Sequence, residues 1–311
     1  MTKSVKSIAF AEYGPADVLV TQETEVPDPG PGQVRIAVRA AGLNALDHKI
    51  RAGYMKDAFP VELPHVPGTE ASGVVEAVGE GVGGLVVGDE VFGWTATGAY
   101  AELALAAAER VTLKPDTLSF EEAAAIPVAA ETSYRALEAV GVRPGETLLI
   151  HGAAGGVGTV AVQIAVARGV KVIGTASERN HEHLRALGAT PVSYGDGLVE
   201  RVRALAPDGV DAAIDLAGQE EAVTASVELT GGTDRVVEIA NPMVSGPHGV
   251  RFSGGGPAED RGTPAVEEAL ALLAAGKLKV SIHRTFPLAQ AAEAHRASES
   301  GHLTGKIVLT V

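Results

Sequence analysis

The chain has 311 residues, enough for about two domains at roughly 150 residues each, and 46% of them are hydrophobic, which excludes a disordered or collagen-like polypeptide. Against 25 Lys and Arg stand 39 Asp and Glu, so the formal charge is −14, and no basic run offers what a nucleic acid or an anionic membrane would require. Cysteine is absent, which removes disulfides, thiolate nucleophiles, iron–sulfur clusters and every cysteine-containing zinc site.

The N-terminal ten residues carry Lys3 and Lys6 but no apolar stretch of signal length, and no run of about 18 apolar residues occurs anywhere, so a soluble, unprocessed, cytoplasmic chain is expected. The first part of the chain breaks at turn signals such as Gly14-Pro15, Asp28-Pro29-Gly30 and Gly83-Gly84. Between them, residues 34–40, 73–78 and 90–92 have strand composition, and this half reads as a β-rich domain. From Ser119 the texture changes. Ser119 and Glu122 have capping-box spacing before an alanine-rich stretch, and a helix is expected over about 131–140.

Residues 147–151 then read as a strand, 157–168 as a helix and 171–175 as a strand, which makes a βαβ unit. The alternation continues with helices near 181–187 and 198–206 and strands near 191–194, 211–216 and 235–239, the pattern of a doubly wound parallel sheet covered on both faces. The Gly-rich segment 246–262 reads as a mobile loop. A helix (264–275), a strand (278–285), a helix (288–300) and a last strand (306–311) follow, and this tail is expected to return to the first domain. The expected division is therefore 1–122 with 264–311, and 123–263.

The sharpest motif is His151-Gly-Ala-Ala-Gly-Gly-Val-Gly158, set between an apolar strand and an apolar helix. Small residues there let the backbone approach a pyrophosphate, which faces the N–H groups of the helix start, so Ala153, Gly155, Gly156, Val157 and Gly158 are expected to hold a dinucleotide. Against the G-x-G-x-x-G pattern Ala153 replaces the first glycine. Where the second strand ends, Ser177 and Arg179 suit the 2′-phosphate of NADPH, whereas Glu178, if turned to the ribose, would favour NADH. Tyr194 either adds a hydroxyl to that phosphate or is a partly buried sheet-edge aromatic.

In order along almost the whole chain, Gly42-Leu-Asn-Ala-Leu-Asp47, Arg51-Ala-Gly-Tyr54, Pro67-Gly-Thr-Glu70, Val87-Gly-Asp-Glu-Val91, the glycine turn and Gly301-His-Leu-Thr-Gly-Lys-Ile-Val308 occur. Together they resemble the quinone oxidoreductase, or zeta-crystallin, branch of the medium-chain dehydrogenase/reductases. The resemblance implies an α/β architecture: a GroES-like β-rich domain built from both chain ends, a Rossmann domain inserted in it, a cofactor in the cleft, and a homodimer. Zinc alcohol dehydrogenases of that superfamily carry a Cys at the position matching Asn44 and a His at that matching Thr69, so a zinc-free mechanism is expected.

By the same resemblance, Asn44 and Asp47 lie near the nicotinamide, Tyr54 and Thr69 face the acceptor, and Thr132 and Lys306 contact the cofactor. Each has a plainer alternative: a left-handed loop for Asn44, a local brace to His48 or Arg51 for Asp47, an exposed aromatic for Tyr54, a backbone bond for Thr69, a helix cap for Thr132 and a solvated lysine for Lys306. Backbone groups at Ala240 and Asn241, at the carboxyl end of a sheet strand, are expected to hold the carboxamide of the nicotinamide. The expected activity is NADPH-dependent, zinc-independent reduction of a small electrophilic acceptor, a quinone first. Reduction of the activated C=C bond of a 2-alkenal, enone or enoyl thioester, and non-catalytic NADPH binding, remain the alternatives.

Overall fold

The computed structural model describes residues 2–256 and 258–311. Internal contacts group them into two units, one running to Val128 and joined by Ile282–Val311, the other Ala129–Ser281.

In the first unit an antiparallel ribbon of β1 (Lys3–Ala9) and β2 (Val20–Val26) precedes β3 (Gln33–Leu43), whose alternating Val34, Ile36 and Val38 are buried. Then come α1 (Ala45–Arg51), β4 (Glu70–Val78), β5 (Glu90–Trp94), β6 (Leu103–Ala107), β7 (Val111–Leu113) and α2 (Phe120–Ala124). Ser119 caps α2 as its spacing foretells, its hydroxyl accepting from Glu122 N at 3.1 Å while Glu122 accepts from Ser119 N at 2.9 Å. The capping box thus closes the first unit rather than opening the second, and α3 (Pro127–Val140) starts four residues before the expected 131.

The second unit carries β8 (Thr147–His151), α4 (Gly156–Ala167), β9 (Lys171–Thr175), α5 (His181–Ala186), β10 (Thr190–Val192), α6 (Leu198–Leu205), β11 (Ala212–Asp215), α7 (Glu220–Thr230), β12 (Val236–Glu238), α8 (Pro242–Ser245), β13 (Arg251–Phe252) and α9 (Gly262–Ala274). Its six strands are all parallel in the order β10-β9-β8-β11-β12-β13, so the winding reverses between β8 and β11. Leu148, Leu149 and Ile150 are buried on both sheet faces, which explains why β8 reads as an unbroken apolar run. β13 lies inside the segment expected to be a mobile loop. α9, assigned to the first domain from sequence, belongs to the second unit, where Glu268 meets Arg168 at 2.7 Å.

The chain then re-enters the first unit with β14 (Ile282–Pro287), α10 (Ala291–Glu299) and β15 (Lys306–Thr310). That unit's larger sheet runs β14-β15-β3-β4-β5-β7, with β6 also on β3. Because β15 pairs antiparallel with β3, Ile307 opposite Leu43, the start of β15 comes beside the residues that follow β3. Phe10, Leu43, Tyr100, Phe286, Ile307 and Leu309 share the core beneath. Among the described residues no helix is long and apolar enough to cross a membrane.

Candidate active site

The first unit gathers Asn44, Glu70 and Lys306 from the ends of β3, β4 and β15. Lys306 Nζ donates to Glu70 Oε1 at 2.7 Å, Asn44 Oδ1 at 2.6 Å and Leu43 O at 3.2 Å. Three ammonium hydrogens thus meet three acceptors, and Lys306 is only 5% exposed. Expected to contact a cofactor, Lys306 has its ammonium held by these three internal acceptors, Asn44 Oδ1 among them. Asn44 Nδ2 donates to the same Glu70 Oε1 at 2.8 Å, and Val128 N to Glu70 Oε2 at 2.8 Å. Glu70 itself is fully buried. It stands in the Pro-Gly-Thr-Glu motif, where sequence shows an acid at a strand start but not the lysine 236 residues away that neutralises it.

Asn44 is extended, φ −118°, at the start of α1 rather than in a left-handed loop. Its N–H donates to Asp47 Oδ2 at 2.9 Å, and Tyr100 OH donates to the same oxygen at 3.2 Å. Asp47, expected near the nicotinamide, thus caps α1 from inside the core. Burial pushes its carboxyl up to about 6, partly offset by the Asn44 N–H and Lys306. Arg51, a suggested partner of Asp47, pairs instead with Glu299. Tyr54 is 81% exposed, and Thr69 is exposed with its carbonyl accepting from Thr95 N at 3.0 Å. These two are not gathered with Asn44 by any hydrogen bond.

In the second unit the turn after β8 has the left-handed residue at Gly152 (φ +68°), so the tight bend is made there and the replacement at Ala153 is tolerated. A Cβ on Gly158 would overlap the carbonyls of Gly152 and Ala153, so α4 packs against the turn as closely as backbone allows. Gly155 begins α4 with no side-chain cap, which leaves first-turn N–H groups of Gly156, Val157 and Gly158 to a ligand. His151, buried beside Ser226 Oγ at 3.0 Å, is pushed down to about 4 by burial and brings no charge to the turn. The residues present fit a dinucleotide pyrophosphate.

Beyond β9, Ser177 opens a short turn without capping it, and Glu178 and Arg179 are exposed. Tyr194 is 57% exposed rather than packed on the sheet edge, and its loop is gathered by Arg201, which donates to Ser193 O at 2.8 Å and Asp196 O at 2.6 Å. At β12 the N–H groups of Ala240 and Asn241, expected to hold the nicotinamide carboxamide, both donate to Glu238 Oε1 at 2.6 Å. The Asn241 side chain accepts from Met243 N at 3.1 Å and caps α8. Thr132 lies inside α3, not at its cap, with its hydroxyl on Glu131 Oε2 at 3.4 Å. Among the described residues no group of three His, Asp or Glu could hold a metal ion.

Residues 30–116 match the family model of the alcohol dehydrogenase GroES-like domain, and 187–309 that of zinc-binding dehydrogenase. The quinone oxidoreductase of Mus musculus is 34% identical over 99% of this chain and 98% of its own length. The chain belongs to the medium-chain dehydrogenase/reductases, on their quinone oxidoreductase branch. This medium-chain reductase-type chain is also 36% identical to the 2-methylene-furan-3-one reductase of Solanum lycopersicum, over 98% of the chain and 79% of that protein. A match of 38% to the pikromycin polyketide synthase component PikAII of Streptomyces venezuelae covers 93% of the chain but 8% of that protein. The crystal structure of Escherichia coli quinone oxidoreductase complexed with NADPH superposes with a TM-score of 0.88 at 30% identity, over 98% of this chain and all of that one. The two units are accordingly a GroES-like domain and a Rossmann domain.

Proposed function

We propose that the protein transfers hydride from NADPH to an acceptor that is already electrophilic, a quinone in the first instance, without a metal. The observation that carries the reading is the Lys306–Glu70–Asn44 cluster: a buried ion pair fixes a carboxamide where zinc-dependent relatives of the superfamily carry a metal ligand. Bound NADPH supplies the hydride. The chain's own part is to hold the pyrophosphate on the first-turn N–H groups of α4 and the 2′-phosphate with Ser177, Arg179 and Tyr194. Asn44 keeps a second amide hydrogen beyond the one given to Glu70, and this can meet an acceptor oxygen as negative charge develops on it. A quinone product anion is delocalised, so water suffices as its proton donor. The likeness to a 2-methylene-furan-3-one reductase favours reduction of an activated C=C bond as the second reading.

The deciding assay follows loss of NADPH absorbance with an ortho-quinone, a para-quinone and a 2-alkenal in parallel. Faster turnover of the quinones is expected; turnover confined to the alkenal would move the function to double-bond reduction. For cofactor choice, Arg179→Ala should raise the NADPH Kd about tenfold, the worth of one charge-assisted contact, and leave NADH unchanged. Equal effects on both cofactors would remove the 2′-phosphate assignment.

A further inference from the structure

Arg135, on α3, is a buried cation that neither the glycine turn nor the acceptor-side cluster uses. It is 7% exposed, and four hydrogen bonds hold it. Its Nε donates to Glu131 Oε1 at 2.8 Å and Nη2 to Glu131 Oε2 at 3.3 Å, a two-pronged pair within one helix turn. On its other edge Nη1 donates to Ser253 O at 2.7 Å and to Ser253 Oγ at 2.6 Å. Ser253, itself fully buried, follows β13.

From Ser253 the connections run two ways. Its N–H donates to Glu238 O at 2.9 Å, and Glu238 is the residue whose carboxylate takes the N–H groups of Ala240 and Asn241. Its hydroxyl donates to Glu259 Oε2 at 3.1 Å, which also accepts from Gly255 N at 3.3 Å, folding the glycine-rich stretch back on itself. At the other end Glu131 Oε2 receives the Thr132 hydroxyl. One guanidinium therefore ties α3 to the segment that leaves β13, and Ser253 in turn bonds the backbone of Glu238, the last residue of β12.

Those ends lie on one side of the point where the winding reverses, and Ser177, Arg179 and Tyr194 follow β9 and β10 on the other. A dinucleotide whose pyrophosphate rests on α4 straddles the reversal. If its 2′-phosphate half lies over β9 and β10, its nicotinamide half lies over β11, β12 and β13. We propose that Arg135 is a positioning residue for the nicotinamide half of the cofactor, holding the segment after β13, beside the end of β12, in the shape that half binds. The inference rests on the reading that this unit binds NADPH.

The test compares two ligands on the full chain. NADPH reports both halves, whereas 2′,5′-ADP carries the 2′-phosphate half alone. Arg135→Met should raise the NADPH Kd at least tenfold and leave that of 2′,5′-ADP within twofold. Arg135→Lys, which keeps the charge but not the fork, should lie between the parent and Arg135→Met. In the protein without cofactor, hydrogen exchange over 251–261 should quicken in Arg135→Met while that of β8 and α4 stays at the parent rate. Equal loss of both ligands, or unchanged NADPH affinity, overturns the proposal. Should Arg135→Met not fold, Ser253→Ala, which deletes one acceptor and keeps the carbonyl, carries the same comparison with a smaller shift. A parent protein that binds neither ligand sinks the cofactor reading itself, a different failure from a parent that binds both and a variant that behaves like it.

Discussion

Lys306→Met should destabilise the protein by about 3–5 kcal/mol, because it removes one partner of a buried ion pair and leaves the other charged. Glu70 has no exposed surface, and Lys306 Nζ at 2.7 Å is its counter-charge. The Asn44 and Val128 N–H groups, at 2.8 Å each, solvate the carboxylate but cannot neutralise it. Asn44 Oδ1 also loses its donor, so the carboxamide is held only through Nδ2 on Glu70 and turnover should fall along with stability. The double variant Lys306→Met/Glu70→Gln removes the orphaned charge and should recover at least half of the lost stability. Its catalytic defect should persist, since the amide placed at position 70 carries no ammonium to hold Asn44 Oδ1 where Lys306 held it. Urea denaturation of the parent and both variants gives the answer. A single-variant loss under about 1 kcal/mol would mean that water reaches Glu70, and the cluster would then be no rigid support for Asn44.

The contrast between what sequence reveals here and what it hides follows from contact range. The βαβ unit is legible because its rules are local: an apolar run, glycines at a turn, then a helix, and both β8 and β9 fall where the residues place them. Gly152 shows the limit of a motif, since the left-handed residue sits one position before the one the pattern assigns, a distinction that only backbone angles carry. Lys306 and Glu70 are the opposite case. Lys306 alone reads as a solvated lysine, and only the β3–β15 and β3–β4 pairings together bring it to Glu70. The loop expected to be mobile is likewise held by Arg135, 118 residues away from Ser253, and glycine content alone cannot reveal such an anchor.

The second large effect is loss of stability in mild acid. Burial lowers His151 to about 4 and His295 to about 3, against 6.5 for an exposed imidazole. Below pH 6.5 the unfolded chain takes up these protons and the folded one does not, so stability falls with pH until the folded values are reached. Asp47 works in the opposite sense. Its folded value of about 6 lies above the ordinary 3.8, so between those values protonation favours the fold. Among these three groups, two histidines against one carboxyl leave a net uptake of about one proton near pH 5, or about 1.4 kcal/mol lost per pH unit; His48, lowered to about 4 by burial, adds to the loss, and Asp215, raised by burial, opposes it. Denaturation at pH 7, 6 and 5 should show that decline. His151→Gln keeps an amide facing Ser226 Oγ but cannot titrate, so it should start less stable at pH 7 and lose about 2 kcal/mol less than the parent between pH 7 and 5. Stability that holds or rises on acidification would mean that Asp47 outweighs the histidines, and an unchanged slope in the variant would mean that His151 takes up its proton in the folded state.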